Sequence, residues 1–354
     1  MNLETAAENA GDREAMVRAI SAAATVRCTT SPNPWVGAVV RTADGRFHEG
    51  ATAPPGGPHA EVTAIAKAGE MARGATLYVT LEPCGHTGRT PPCTEAILEA
   101  GIARVVVGIQ DPDPQVSGRG IEALRQAGVE VTVGVQSDQV RAQLTPYVRH
   151  RETGRPWVVL KLAATLDGGT AAPNGSSQWI TSPEARADGH RLRAESDALV
   201  VGAGTVRRDD PSLTVRDYHV ASPYAEGVDR AKVDPRRIVL GAVSPEARVN
   251  PCTEYSGDLG DLLDQLGGEG VMQLLVEGGS GVAGEFHRAG LVDRYVVYLA
   301  PALFGGEDAK GLFGGQECST SPNSGAAVSA RSSGSGQTSG SSSCPADHSR
   351  TGSS

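Results

Sequence analysis

The stretch Leu81-Glu82-Pro83-Cys84-Gly85-His86-Thr87-Gly88-Arg89-Thr90-Pro91-Pro92-Cys93 decides the reading of this chain, taken with Gly57-Pro58-His59-Ala60-Glu61 shortly before it. Pro83-Cys84 follows a buried-strand pattern, Thr76 to Leu81. Pro92-Cys93 opens a helix that runs to Ala100 and closes on Gly101. His59 opens another helix, through Ala68. A catalytic zinc needs three protein ligands and one open position for water. His59, Cys84 and Cys93 supply one imidazole and two thiolates. Both cysteines follow prolines at helix starts, where the positive end of the helix dipole favours a thiolate. Water held by such a zinc loses a proton near neutral pH and becomes a nucleophile. Glu61, two residues from His59, is better placed to shuttle that proton than to bind metal. A structural zinc would want a fourth protein ligand, for which His86 is available, and two unrelated buried cysteines are the plainest alternative. The ordered set HAE, PC and PPC argues against both.

Outward from this core, Asp12 to Ala24 reads as a helix with Met16, Val17 and Ile20 at helical spacing. Ser31-Pro32-Asn33-Pro34 breaks it, Trp35 to Val40 is an apolar strand, and Asp44-Gly45 is a turn. Ile102 to Ile109 is a strand, Gly120 to Gln126 a helix stopped by Gly128, and Val129 to Val133 a strand. The alternation predicts an α/β/α sandwich over residues 12–148. Arg149 to Pro156 (RHRETGRP) is polar and reads as a domain junction. A second α/β pattern over 156–315 has strands at Trp157–Lys161, Ala198–Val201, Arg237–Leu240, Gln273–Val276 and Arg294–Ala300. Helices at Glu184–Ala194, Leu259–Leu266 and Gly281–Ala289 separate them. The last 39 residues, 316–354, hold 14 Ser and 5 Gly with no aromatic, Leu or Ile. Such a segment cannot bury enough apolar area to offset chain entropy, so it is expected to be disordered.

Composition narrows the function classes. A formal net charge of −9 argues against a polyanion partner, because nucleic-acid binders carry a basic footprint. No run of apolar residues is long enough to span a membrane, and the N-terminus lacks a signal-peptide core, so the cytoplasm is the expected compartment. The six cysteines are scattered and do not resemble a disulfide framework; Cys28, Cys252, Cys318 and Cys344 read as plain thiols.

H-x-E with P-C-x-x-C is the signature of zinc base deaminases; here eight residues separate the cysteines, so the match is to the chemistry. Together with Asn33-Pro34-Trp35-Val36-Gly37, the two quoted stretches resemble the bifunctional deaminase/reductase family of riboflavin biosynthesis. The resemblance implies a cytidine-deaminase-like first domain that removes an amino group from a diamino-hydroxy-phosphoribosylamino-pyrimidine. It implies a dihydrofolate-reductase-like second domain that uses NADPH to reduce the ribosyl to a ribityl chain, and a homo-oligomer. It continues through Lys161-Leu162-Ala163-Ala164-Thr165-Leu166-Asp167-Gly168, Ser177-Gln178-Trp179-Ile180-Thr181, Val201-Gly202-Ala203-Gly204-Thr205, Asp209-Asp210-Pro211-Ser212-Leu213-Thr214 and Glu277-Gly278-Gly279. On that basis Ala163, Trp179, Thr205, Asp209 and the loop from Gly279 would touch NADP, while Ser177, Arg193, Leu213, Arg216 and Glu277 would touch the phosphoribosyl substrate.

Physical chemistry supports parts of this assignment. A glycine turn between a strand and a helix lets N–H groups approach phosphate, and Arg193 and Arg216 suit bidentate phosphate binding. Singly, each residue has a plainer use. Arg207 stands where a dinucleotide fingerprint needs its third glycine. Arg193 could pair with Glu195 or Asp197, Trp179 could be core, and Ser177 could cap a turn. In the family the sheet continues after Leu303-Phe304-Gly305-Gly306, so the Ser-rich tail implies a missing C-terminal part of the reductase and an exposed sheet edge. That leaves a deaminase with an inactive reductase domain as the alternative reading. A nucleic-acid-editing deaminase is opposed by the acidic charge and the scarcity of stacking aromatics.

Overall fold

The computed structural model describes residues 10–85, 91–114, 116–171, 182–216, 218, 233–306, 310–315 and 327–332. The N-terminal unit runs α1 (Ala10–Ala24), β1 (Gly37–Arg41), β2 (Phe47–Ala51), α2 (Ala60–Ala68), β3 (Thr76–Leu81), α3 (Cys93–Glu99), β4 (Arg104–Ile109), α4 (Arg119–Gln126), β5 (Glu130–Val133), α5 (Ser137–Gln143) and α6 (Thr145–Thr153). Its sheet has the order β2-β1-β3-β4-β5, with β1 antiparallel to both neighbours and β3, β4 and β5 parallel. The inner parallel strands β3 and β4 read as near-continuous apolar runs because helices cover both faces, whereas edge strand β5 (EVTV) is partly exposed.

Two glycines set how closely those helices approach. A Cβ on Gly37 would lie 1.9 Å from the Ala19 carbonyl of α1, and one on Gly50 would lie 2.3 Å from the Ala60 carbonyl of α2. Ala38 sits opposite Gly50 in the β1–β2 ladder, so Gly50 faces the side opposite to Gly37. Helices α1 and α5 therefore cover one face, and α2, α3 and α4 the other. Gly37→Ala is expected to lower the stability of this unit by about 1–3 kcal/mol, as overpacking does, read from denaturant unfolding.

Buried Asp12 anchors α1 to the sheet. It accepts hydrogen bonds from Arg104 Nη1 and Nη2, each at 2.9 Å, and from Tyr78 Oη at 2.8 Å. The Arg104 guanidinium holds the Asp12 carboxyl below the ordinary aspartate range. Its contribution is thus complete above the unfolded-state pKa and is lost as pH falls through the folded value. Asp12→Asn should weaken the fold at neutral pH and flatten the acid limb of its stability curve, measured by urea titration at stepped pH.

The second unit runs β6 (Trp157–Thr165), β7 (Gly169–Ala171), α7 (Pro183–Ala194), β8 (Ala198–Gly202), α8 (Ala203–Asp209), β9 (Arg236–Leu240), β10 (Thr253–Tyr255), α9 (Leu259–Gly268), β11 (Gln273–Val276), α10 (Ser280–Arg288), β12 (Arg294–Ala300), β13 (Lys310–Gly311) and β14 (Ala327–Ser332). Seven strands form one parallel sheet in the order β10-β9-β8-β11-β6-β12-β14, and β13 pairs with β7 separately. Separate apolar clusters flank this sheet, around Leu160, Leu274 and Phe286 in one and Leu199, Val239 and Leu275 in the other.

The structure departs from the sequence reading at the domain junction and in the tail. The junction expected across Arg149–Pro156 is helical as far as Thr153, where α6 stops at Gly154 in the left-handed region (φ 72°). That helix touches both units: Tyr147 packs in the first core, and His150 Nε2 lies 2.9 Å from the Gly267 carbonyl of α9. Within the tail expected to be disordered, residues 327–332 instead form β14, registered along β12 from Arg294↔Ala327 to Leu299↔Ser332. Main-chain pairing at a sheet edge needs little apolar side-chain area, so AVSARS can fill the β12 edge that composition suggested would stay open. The rest of the tail lies outside the described residues, as do Cys318 and Cys344; Cys28 and Cys252 are free thiols.

Candidate active sites

The first site stands where β3 ends and α2 and α3 begin. His59 caps α2 in an extended conformation (φ −74°, ψ 167°), and Cys93 is the first residue of α3, next to its cap Pro92. Cys84 sits in the turn after β3 and accepts the Cys93 backbone N–H at 3.3 Å. His59 Nδ1 lies 3.1 Å from Cys93 Sγ and 3.6 Å from Cys84 Sγ, and all three donor atoms fall within 4.8 Å of one another. Among the described residues no other group of His, Cys, Asp and Glu converges in this way. Hydrogen bonding from Cys93, then from His59, draws the Cys84 thiol down to about 4, and the bond to Cys84 raises His59. Burial pushes the Glu61 carboxyl up to about 7. One nitrogen and two sulfurs, of which Cys84 is drawn toward the thiolate while the bond to Cys84 and burial hold Cys93 toward the thiol, match the donor set of a tetrahedral zinc with one position left open. His86, the residue that could complete a four-ligand site, lies outside the described residues.

His59, Glu61 and Cys84 open onto a cavity of about 390 Å³, with Cys93 buried behind them. Its walls include Asn33, Glu61, Asp111, Asp113, Val116, Tyr147 and Arg151. The Tyr147 hydroxyl donates to the two Asp111 carboxylate oxygens at 3.0 and 3.2 Å, and Arg151 lies 3.7 Å from Asp113. Sequence reasoning missed Asp111, Asp113, Tyr147 and Arg151. The available signal was Asp111-Pro112-Asp113-Pro114 directly after a strand, at the carboxyl end where α/β sheets bind ligands.

The second site is a cavity of about 840 Å³ at the carboxyl ends of β6, β8, β9 and β11. It brings together Ala163, Thr205, Asp209, Gly279, Arg193, Arg216 and Glu277 from the sequence reading, and adds Lys161, His190, Arg207, Arg208 and Tyr298. Gly278 has no room for a side chain, since a Cβ would lie 2.5 Å from Val282 Cβ; the turn into α10 therefore exposes main chain to the cavity. Leu213 does not line it; the residue is buried in the apolar cluster with Leu192 and Val201, at φ 54°. Ser177 and Trp179 lie outside the described residues. Arg193 pairs with neither Glu195 nor Asp197. It makes a two-pronged bond to Glu277, Nε to Oε1 at 2.6 Å and Nη2 to Oε2 at 2.8 Å, and donates to the Thr214 carbonyl at 3.1 Å. Burial alone would raise Glu277; the Arg193 guanidinium outweighs it and holds the carboxyl at about 2. Arg216 is exposed and donates to Ser212 Oγ at 2.6 Å.

Residues 10–109 match the family described as the cytidine and deoxycytidylate deaminase zinc-binding region, and residues 156–336 match the RibD C-terminal domain, a span that takes in β14. The chain is 42% identical over 333 residues to the riboflavin biosynthesis protein RibD of Escherichia coli, covering 85% of this chain and 90% of that protein. The chain belongs to the RibD family. The RibD of Mycobacterium tuberculosis is also 42% identical, over 309 residues, with 83% and 86% of the two chains covered. Among solved structures, Acinetobacter baumannii RibD superposes with a TM-score of 0.80 at 37% identity, over 87% of this chain and 91% of that one. The Thermotoga maritima diaminohydroxyphosphoribosylaminopyrimidine deaminase/5-amino-6-(5-phosphoribosylamino)uracil reductase gives 0.75 at 36% identity, over 88% and 93%. As a RibD protein the chain joins a zinc-binding deaminase domain to an NADPH-dependent reductase domain in riboflavin biosynthesis.

Proposed function

We propose that the first unit, residues 12–148, hydrolyses the amino group from 2,5-diamino-6-ribosylamino-4(3H)-pyrimidinone 5′-phosphate, and that the second, residues 156–315, reduces the ribosyl of the product to a ribityl chain. The observation that carries this reading is the convergence of His59, Cys84 and Cys93 beside buried Glu61 in a small cavity. His59, Cys84 and Cys93 hold the zinc, which when bound supplies the Lewis acidity that makes water nucleophilic at neutral pH. Glu61 is the proton carrier. It takes a proton from the attacking water and delivers it to the departing nitrogen, so that water and the amino-pyrimidine leave as the oxo-pyrimidine and ammonia.

In the reductase, Ala163, Trp179, Thr205, Asp209 and Gly279 contact NADPH, which supplies the hydride. Ser177, Arg216 and Glu277 contact the phosphoribosyl group, with Arg193 and Leu213 supporting them from behind. Arg216 is the phosphate partner of choice, because it is exposed at the cavity and makes no ion pair among the described residues. Arg193 acts through Glu277, whose charge it fixes. Leu213 is buried among Leu192 and Val201, so its role is confined to shaping the loop before Arg216.

No helix among the described residues is long and apolar enough to cross a membrane. The proposal places the enzyme in the cytoplasm as a homo-oligomer acting on small molecules, with no nucleic-acid or membrane partner. Mass spectrometry after incubation with the diamino-pyrimidine ribosyl phosphate and NADPH tests both steps. A deaminated ribityl product is expected. A deaminated product that keeps its ribosyl chain would refute the reductase half and leave the zinc site standing.

A further inference from the structure

Glu82 lies between the end of β3 and the ligand Cys84, and it is buried at 4% exposure. Its carboxylate faces main chain from a segment far along the sequence. Oε1 accepts the N–H groups of Gly120 at 3.0 Å and Ile121 at 3.2 Å; Oε2 accepts those of Asp111 at 3.2 Å and Gly118 at 2.9 Å. Gly120 and Ile121 are the second and third residues of α4, whose free N–H groups an N-cap side chain ordinarily satisfies. The residue at that cap is Gly118, at φ 79°, which has no side chain to offer. Glu82 supplies the missing cap from 38 residues away. Gly120 completes the fit, since a Cβ there would lie 1.9 Å from the Pro83 carbonyl.

The segment so held, from Asp111 to Ile121, carries Asp111, Asp113 and Val116 into the wall of the deaminase cavity. A carboxylate has about four acceptor positions, and all of those on Glu82 are taken by backbone. It therefore has nothing left to offer a substrate or a proton. We propose that Glu82 is a positioning residue of the deaminase: it ties the strand that delivers Cys84 to the loop that shapes the opposite wall, and so sets the distance between metal site and substrate-binding wall. This rests on the deaminase reading given above.

The test is Glu82→Gln in the full chain. A glutamine keeps one acceptor oxygen and turns an NH₂ toward two N–H donors, so half the grip becomes repulsive. Zinc content should stay stoichiometric, and kcat/KM for ammonia release should fall by about 10²-fold, carried mainly by KM, as misplaced binding groups produce. Hydrogen exchange should speed up in peptides spanning 111–121 and remain unchanged in β1 and α1, which a general loss of stability would not allow. An unchanged KM, or zinc loss with unchanged exchange in 111–121, would overturn the proposal. Should this variant fail to fold, Gly120→Ala presses on the same contact from the other side and must show the same KM effect; a normal KM there also overturns it. A wild-type chain that released no ammonia would sink the deaminase reading itself, and the exchange measurement would still decide whether Glu82 holds the loop.

Discussion

Replacing Glu61 with glutamine is expected to abolish ammonia release while the protein keeps its zinc. Glu61 lies in the first turn of α2, two residues past His59, and is 3% exposed. The three donors that converge are His59, Cys84 and Cys93, and Glu61 is not among them. Glutamine preserves the shape and most of the packing but cannot accept or return a proton. General acid–base catalysis of this kind is worth roughly 10²–10⁴-fold, so the residual rate should fall at least to that level. Ammonia release gives the rate, and metal analysis of the dialysed variant gives the zinc. Loss of both together would mean that Glu61 helps to hold the metal, and the assignment would fall.

The second large effect is expected from Glu277→Gln. Arg193 and Glu277 face each other with side chains only 15% and 9% exposed. Removing one member of such a pair leaves a buried charge without a partner, at a cost of about 3–5 kcal/mol. The reductase unit should lose that much stability in denaturant titration, and NADPH consumption should cease while ammonia release persists. The pH dependence follows from the same pair. Glu277 titrates at about 2 in the fold, below its unfolded value, so its stabilisation is full above the ordinary glutamate range and drains away as pH falls toward 2. The variant should have lost that acid-sensitive component. A wild-type-like acid limb in Glu277→Gln would show that the pair does not carry this charge.

Much of the fold was legible because its signals are local. Strands Thr76–Leu81, Gln273–Val276 and Arg294–Ala300 lie where the apolar runs predicted them, and α3 stops against Gly101, which sits at φ 69°. The elements that pattern missed are the ones with weak side-chain periodicity. Strand β2 (FHEGA) has half-buried Phe47 and His48, exposed Glu49, and a Gly50 that it needs against α2. Helix α6 is polar enough to read as a linker, yet Tyr147 and Val148 are buried. Strand β14 is specified by an open edge on β12, a property of the sheet that AVSARS does not contain.

The sequence by itself determined the metal chemistry, because the zinc donors sit on adjoining strand–turn–helix units whose caps and prolines place them with little help from the rest of the chain. It also determined that Glu61 sits apart from those donors, through helical spacing from His59. Only the tertiary structure decided what surrounds them. Tyr147 reaches Asp111 across 36 residues, Glu82 holds Gly120 across 38, and Arg193 meets Glu277 across 84. Those contacts depend on strand order and on burial of charge, which are set when the sheets assemble and are written in no local pattern of residues.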